Sequence, residues 1–115
     1  MSEQKITLPY PPSANRYWRV TRQGRTYISD HARQYKLNVA TLARAAKLKQ
    51  IDGDVVLHLD IYRPIKRGDL SNRIKILEDA LQGIAYKDDS QIVEIVARRF
   101  EDKKSPRVEI LLKAA

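Results

Sequence analysis

From Val55 to Tyr62, apolar and polar positions alternate with period two. Val55, Leu57, Leu59 and Ile61 share one side, His58, Asp60 and Tyr62 the other, which predicts a half-buried strand that Pro64 stops. The period then changes. Leu70, Ile74, Leu77, Leu81 and Ile84 recur at i, i+4, i+7, i+11 and i+14, so the spacing predicts an amphipathic helix over Leu70–Leu81 with Gly83 as its exit. Tyr35, Val39, Leu42 and Ala46 predict a second helix from His31 to about Lys49, with Ser29 or Asp30 as N-cap. Short strand patterns cover Lys5–Leu8, ended by Pro9, Pro11 and Pro12, and Arg25–Ile28, after a turn at Gln23-Gly24. The runs IVEIVARRF and RVEILLK, separated by EDKKSP, are expected to form a hairpin. The order β-β-α-β-α-β-β predicts one α/β (α+β) domain spanning residues 1–115, a mixed sheet packed with two helices.

Charge changes this picture more than composition does. The chain has 115 residues and a formal net charge of +8, which favours a polyanionic partner, nucleic acid first, because basic side chains on phosphates release condensed counterions. With no cysteine, disulfides, thiolate nucleophiles and cysteine-ligated zinc are excluded. No apolar run reaches the length of a signal segment or membrane span, so a cytoplasmic protein with no membrane partner is expected.

Three segments concentrate chemistry. NRYWRVTRQGRTY interleaves Arg16, Arg19, Arg22 and Arg25 with Tyr17, Trp18 and Tyr27, which suits phosphates and exposed bases; the plainer alternative makes Tyr17 and Trp18 core and the arginines a solvated face. RPIKRGDLSNRIK carries Asp69 at a helix start, where an N-cap alone would explain it, and YKDDSQI carries Asp88 and Asp89, which alone would be a turn. Together they allow more. The strand before Asp69 and the turn at Asp89 are expected to bring both carboxylates to one edge of the sheet, where hard cations such as Mg2+ find oxygen ligands. Lys75 lies one turn beyond Ser71 and is placed to stabilise charge on a phosphate, unless it forms only a surface pair with Glu78 or Asp79. Ile76 lies off the apolar stripe, as a dimer contact or as a side chain covered by a neighbouring strand. His31 and His58 have no partner at metal-ligand spacing and are assigned to the fold.

The stretches ITLPYPPSANRYWR, GRTYIS, GDLSNRIKILEDAL and DDSQI, in this order from about Ile6 to Phe100, resemble the RusA family of Holliday junction resolvases of bacteriophages and prophages. The resemblance implies a compact α/β fold and a homodimeric endonuclease. It further implies dependence on Mg2+, with Mn2+ as a substitute, and resolution of four-way DNA by paired symmetric nicks in recombination and repair. Matched by motif, Asp69, Lys75 and Asp89 are the expected catalytic residues, with Asp69, Asp89 and the adjacent Asp88 as the metal set. Asn72 also matches. Ser71 departs, standing where the family most often has a second aspartate, so the site loses one negative charge. Glu78 shares the stripe of Ser71 but sits roughly 10 Å farther along the helix axis, too far to replace that acid directly. Arg16, Arg19, Lys66, Arg67 and Arg73 are the expected phosphate contacts. Two rival readings stand beside the enzyme: a catalytically impaired junction-binding protein marked by Ser71, and a structural or regulatory protein with an incidental basic surface.

Overall fold

The structure, a computed structural model, describes residues 3–65 and 70–115. Its elements are β1 (Gln4–Pro9), α1 (Ala14–Tyr17), β2 (Trp18–Val20), β3 (Thr26–Ile28), α2 (Asp30–Ala45), β4 (Val55–Arg63), α3 (Leu70–Leu81), a 3-10 turn (Asp89–Gln91), β5 (Ile92–Glu101) and β6 (Arg107–Ala114). The expected order is present, with α1, β2 and the 3-10 turn added. Strands β1-β6-β4-β5 form a mixed sheet, while β2 and β3 make a separate ribbon.

β4 organises the core. Its Val55, Leu57, Leu59 and Ile61 are buried, as the alternation requires, among Leu8, Val108, Ile110 and Leu112 from β1 and β6. Burying a side chain of this size contributes roughly 1.5–3 kcal/mol. Both long helices cover this face, α2 through Ala32, Tyr35, Val39 and Ala43 and α3 through Ile76, Leu77, Ala80 and Leu81. The other face of the sheet carries His58, Asp60, Tyr62, Val96 and Glu109, and the end of α2, through Leu42, Ala45 and Ala46, borders a cavity there.

Four expectations need correction. β5 and β6 form no hairpin, because β4 lies between them, parallel to β5 and antiparallel to β6. Strands are spaced by about 4.8 Å, so residues 102–106 easily cross one strand, and the crossing is fastened where the Asp102 N–H donates to the Arg63 carbonyl at 2.9 Å. The long apolar β4 thereby gains a neighbour on each side, and the charged β5 becomes an edge. Ile76 is fully buried, which removes it as a dimer contact: α3 packs against α1 and α2 and also joins the core of the sheet, so its buried arc is wider than one stripe. In α2, Ala43 continues the buried face and Leu42 is 38% exposed. That helix stops at Ala45 and not near Lys49, because Lys47 takes a left-handed φ of 57°.

Ser29 is the N-cap of α2. Its Oγ accepts from the Ala32 N–H at 3.2 Å and donates to the Arg16 carbonyl, joining the ribbon to the helix.

Candidate functional site

Asp69, Lys66 and Arg67 lie outside the described residues. The site is therefore built from α3 onward. Ser71, Asn72 and Lys75 are exposed on its first two turns, opposite the buried arc. Lys75 forms no ion pair among the described residues. The surface pair that would have used Asp79 is not made, since Asp79 accepts from the Tyr17 hydroxyl and sits 3.4 Å from the Lys36 ammonium. Tyr17 is itself fully buried, so it belongs to the core and is not available for stacking on bases; its ring meets Trp18 edge-on at 4.6 Å. Burial first, then the Asp79 acceptor, push the Tyr17 phenol well above its ordinary value, so it stays a donor.

Arg73 is engaged within the chain. Its Nε donates to the Tyr10 hydroxyl at 3.1 Å and its Nη1 to the Pro12 carbonyl at 3.0 Å, with the guanidinium 5.1 Å from the Tyr10 ring centre. These bonds fix the start of α3 against the proline-rich segment after β1. Extended, proline-stiffened backbone leaves carbonyls without ladder partners, and a guanidinium fork satisfies one.

The DDSQ turn is a reciprocal cap. Asp88 Oδ1 accepts from the Ser90 N–H at 3.1 Å, while Gln91 Oε1 accepts from the N–H groups of Lys87 and Asp88 at 2.8 and 3.0 Å. Gln91 Nε2 then donates to the carbonyls of Ile51 and Gly53 at 2.9 and 2.7 Å, riveting the turn to the chain just before β4. Asp88 and Asp89 are both exposed. The Ser90 N–H, then the neighbouring Asp89, hold Asp88 below the usual carboxylate value, whereas the adjacent Asp88 carboxylate pushes Asp89 up. Glu78 stands close to the same turn: burial, then the Asp89 charge, raise its carboxyl, and the Lys75 ammonium pulls it down. Glu78 therefore feels the charges of both Lys75 and Asp89.

The start of α3 and the Asp88–Gln91 turn meet the sheet at opposite ends. The start of α3 is tied by Arg73 to Tyr10 and Pro12, beyond Pro9, which lies level with Arg107 and so with Tyr62 at the far end of β4. The Asp88–Gln91 turn is tied to Ile51 and Gly53, before the near end. From Val55 to Tyr62 a strand runs about 23 Å at its ordinary rise. Among the described residues no group of three or more His, Asp or Glu is arranged to hold a metal ion.

Arg16, Arg19, Arg22 and Arg25 are exposed on α1 and the ribbon, and none forms an ion pair among the described residues; Tyr27 beside them is 47% exposed. Sequence reasoning missed the Gln91 rivet, the Asp79 junction and the Arg73 anchor. For Gln91 a signal existed, since an Asp followed three residues later by Gln is a capping-box pattern. No helix is long and apolar enough to cross a membrane among the described residues.

A basic mixed-sheet domain that exposes acids on a capped turn, an ammonium on a helix and unpaired guanidinium groups on a ribbon is equipped to meet a nucleic-acid backbone and act on it. Comparison with known proteins names the family. The model of the family described as Endodeoxyribonuclease RusA matches residues 9–113. A crossover junction endodeoxyribonuclease RusA of Escherichia coli K12 is 35% identical, over 97% of this chain and 95% of that protein. The enzyme of the same name from Enterobacteria phage 82 is also 35% identical over the same shares, and that of Escherichia coli O139:H28 is 33% identical. The chain belongs to the RusA family of endodeoxyribonucleases.

Proposed function

We propose that this chain is a Mg2+-dependent, homodimeric resolvase that cuts four-way DNA junctions with paired symmetric nicks. The observation that carries the reading is Lys75, exposed on the first two turns of α3 and without an ion pair among the described residues, in a chain that also exposes the Asp88 and Asp89 carboxylates on a capped turn. An ammonium without a committed carboxylate is available to stabilise charge developing on a phosphate.

The donor chemistry fits a hard divalent cation. Asp88 and Asp89 expose carboxylate oxygens, which Mg2+ or Mn2+ prefers, and neither cysteine nor a histidine pair competes. Asp69 and Asp89, with Asp88, would hold it. When bound, such a cation lowers the pKa of a coordinated water and offsets phosphate charge. Lys75 neutralises the phosphoryl oxygens, and Arg16, Arg19, Lys66 and Arg67 grip the flanking phosphates by shape and charge. Arg73, spending Nε and Nη1 on Tyr10 and Pro12, contributes chiefly by holding the start of α3 against that segment. Ser71, Asn72 and Lys75 stay exposed toward the substrate side.

The separation of the two acid-bearing segments supports the homodimer. A two-fold copy, running the opposite way, lays its Asp89 turn at the end of the sheet where the first copy's α3 begins. Two such sites then lie symmetrically, as paired nicks on a four-way junction require. Cytoplasmic DNA of a phage or its host is the natural substrate pool for this reading.

Ser71 favours one second reading, a junction-binding protein with damaged catalysis, because a neutral hydroxyl is a weaker ligand than the aspartate expected there. A labelled synthetic junction incubated with and without Mg2+ separates the two. The resolvase reading predicts paired nicks that fall by about three orders of magnitude in Lys75→Ala and in Asp89→Asn, with junction binding retained. Binding without nicking, even in Mn2+, followed by gain of cleavage in Ser71→Asp, would favour the damaged site. Absence of any preference for the junction over linear duplex would remove both.

A further inference from the structure

β5 is one of the two edges of the sheet, ten residues long and without proline, whereas the other edge, β1, is six residues long and ends in Pro9. Ile95 on its helix side, Val96 and Phe100 on its open side, and Val93 at the register shift are between 36% and 56% exposed. An edge with apolar residues uncovered on both sides is a template for another strand. Its only irregularity is the register shift against Val55 and Val56, so the stretch from Glu94 onward is regular.

We infer that a second copy of this chain pairs antiparallel along β5, with Val96 at the two-fold axis. The inference rests on the homodimer reading above and names the surface that makes it. Residues opposite one another in an antiparallel pair point to the same side of the sheet, so only certain centres are allowed. Centred on Ile95, the pairing sets Glu94 against Val96. Centred on Ala97, it sets Val96 against Arg98 and Ile95 against Arg99. Centred on Val96, it sets Glu94 against Arg98 of the second copy, Ile95 against Ala97, and Val96 against itself. Of these three registers, only this one matches charge with charge and apolar with apolar across residues 94–98, twice over by symmetry, while beyond them it sets Val93 against Arg99. Arg98 has capacity for it, since its bond to Asp60 uses Nε and Nη2 at 3.0 and 3.1 Å and not Nη1.

The open face is the rival surface, and it fits a second copy less well. Its charges close on one another within the chain, Arg98 with Asp60 and Arg107 with Glu109, and docking there would leave Val93 and Ile95 uncovered. The Val96 register also carries the Asp89 turn of the second copy past Glu101, toward the end of the sheet where Asp102 bonds Arg63.

The natural chain has no cysteine, so an introduced one reports only on itself. Under mild oxidation Val96→Cys should form a covalent dimer, whereas Leu37→Cys, exposed on α2, should not. By sedimentation, Val96→Glu, which sets two like charges at the axis, should raise the dimer dissociation constant by about tenfold or more. Should Val96→Glu fail to fold, the cysteine variant still decides. A wild-type dimer that resists cross-linking through Val96→Cys would overturn the edge pairing and leave the homodimer standing. A wild type that stays monomeric, alone and on a junction, would overturn the homodimer reading along with it.

Discussion

The arginines of the ribbon and those of the sheet differ in what stands beside them. Arg16, Arg19, Arg22 and Arg25 project from α1, β2 and their turn with no ion pair among the described residues. On the sheet, Arg98 is held by Asp60, Arg107 by Asp102 and Glu109, and Arg63 by Glu101. Rings complete the second set. Tyr62 and Phe100 stack at 4.9 Å, Arg107 lies 4.0 Å over Tyr62 and Arg98 lies 5.6 Å from Phe100. Both surfaces are rich in guanidinium groups, yet the ribbon keeps all four without ion pairs among the described residues, whereas on the sheet only Arg99 does. Net charge says that a polyanion is wanted; the placement of the acids says where it lands. Cross-strand partners on the sheet convert arginine from a phosphate ligand into a clamp between strands.

The comparison breaks most visibly at the ribbon. Replacing Arg16 and Arg19 together with alanine should weaken junction binding by about a hundredfold near 0.1 M salt and reduce the salt slope by about two, since each phosphate contact contributes close to one. Titration of a labelled junction across a salt series measures both. An unchanged slope would mean that these arginines do not reach phosphate. Next in size is the anchor beneath the ribbon, whose strands are too short to hold themselves. Tyr17→Phe removes the buried hydroxyl that donates to Asp79 and should cost about 2 kcal/mol in urea denaturation, because a charged acceptor is left short of a donor. Junction binding should weaken alongside, as the ribbon loses its tie to α3. Loss of stability with binding untouched would show that the ribbon is held elsewhere, and the Ser29 bond to the Arg16 carbonyl is the next contact to test.

Much of this arrangement is legible in the order of the amino acids. Period two over β4 and the 3.6-residue period over α3 report burial directly, because each element buries one side and the residues facing inward must be apolar. The D-D-x-Q pattern marks a capped turn for the same local reason. Strand order is not local. Nothing within residues 92–113 tells that β4 separates β5 from β6; that follows from the need of a long buried strand for two neighbours. Arg73 and Ile76 mislead in opposite directions for one reason. A guanidinium among basic neighbours looks like a phosphate ligand, and an isoleucine off the main stripe looks like an interface, until the proline-rich segment and α2 close over α3 from elsewhere in the chain. Of the candidate site, residue types and their motifs are local, whereas the influence of Asp89 on Glu78, and the distance of the Asp89 turn from the start of α3, are tertiary facts.

The smallest effect on DNA, and the sharpest check of the comparison, belongs to Arg107. Arg107→Ala should leave junction binding within about twofold, because its charge is shared with two carboxylates and its Nε and Nη1 are bonded to Glu109 Oε2 at 2.8 Å, Asp102 Oδ2 at 2.9 Å and the Ser105 carbonyl at 2.9 Å. Its cost should appear in stability, and with a particular dependence on pH. The Ser105 N–H first, then Arg107, hold the Asp102 carboxyl below its ordinary value. Asp102 therefore contributes stability that is complete above the ordinary aspartate value and is lost as the pH falls through its lowered folded value. Removing Arg107 raises that folded value toward the ordinary one, so melting temperatures of wild type and variant should differ at neutral pH and converge in acid. Divergence that persists below the carboxylate range would assign the loss to the stack on Tyr62, since that contact does not depend on the charge of Asp102.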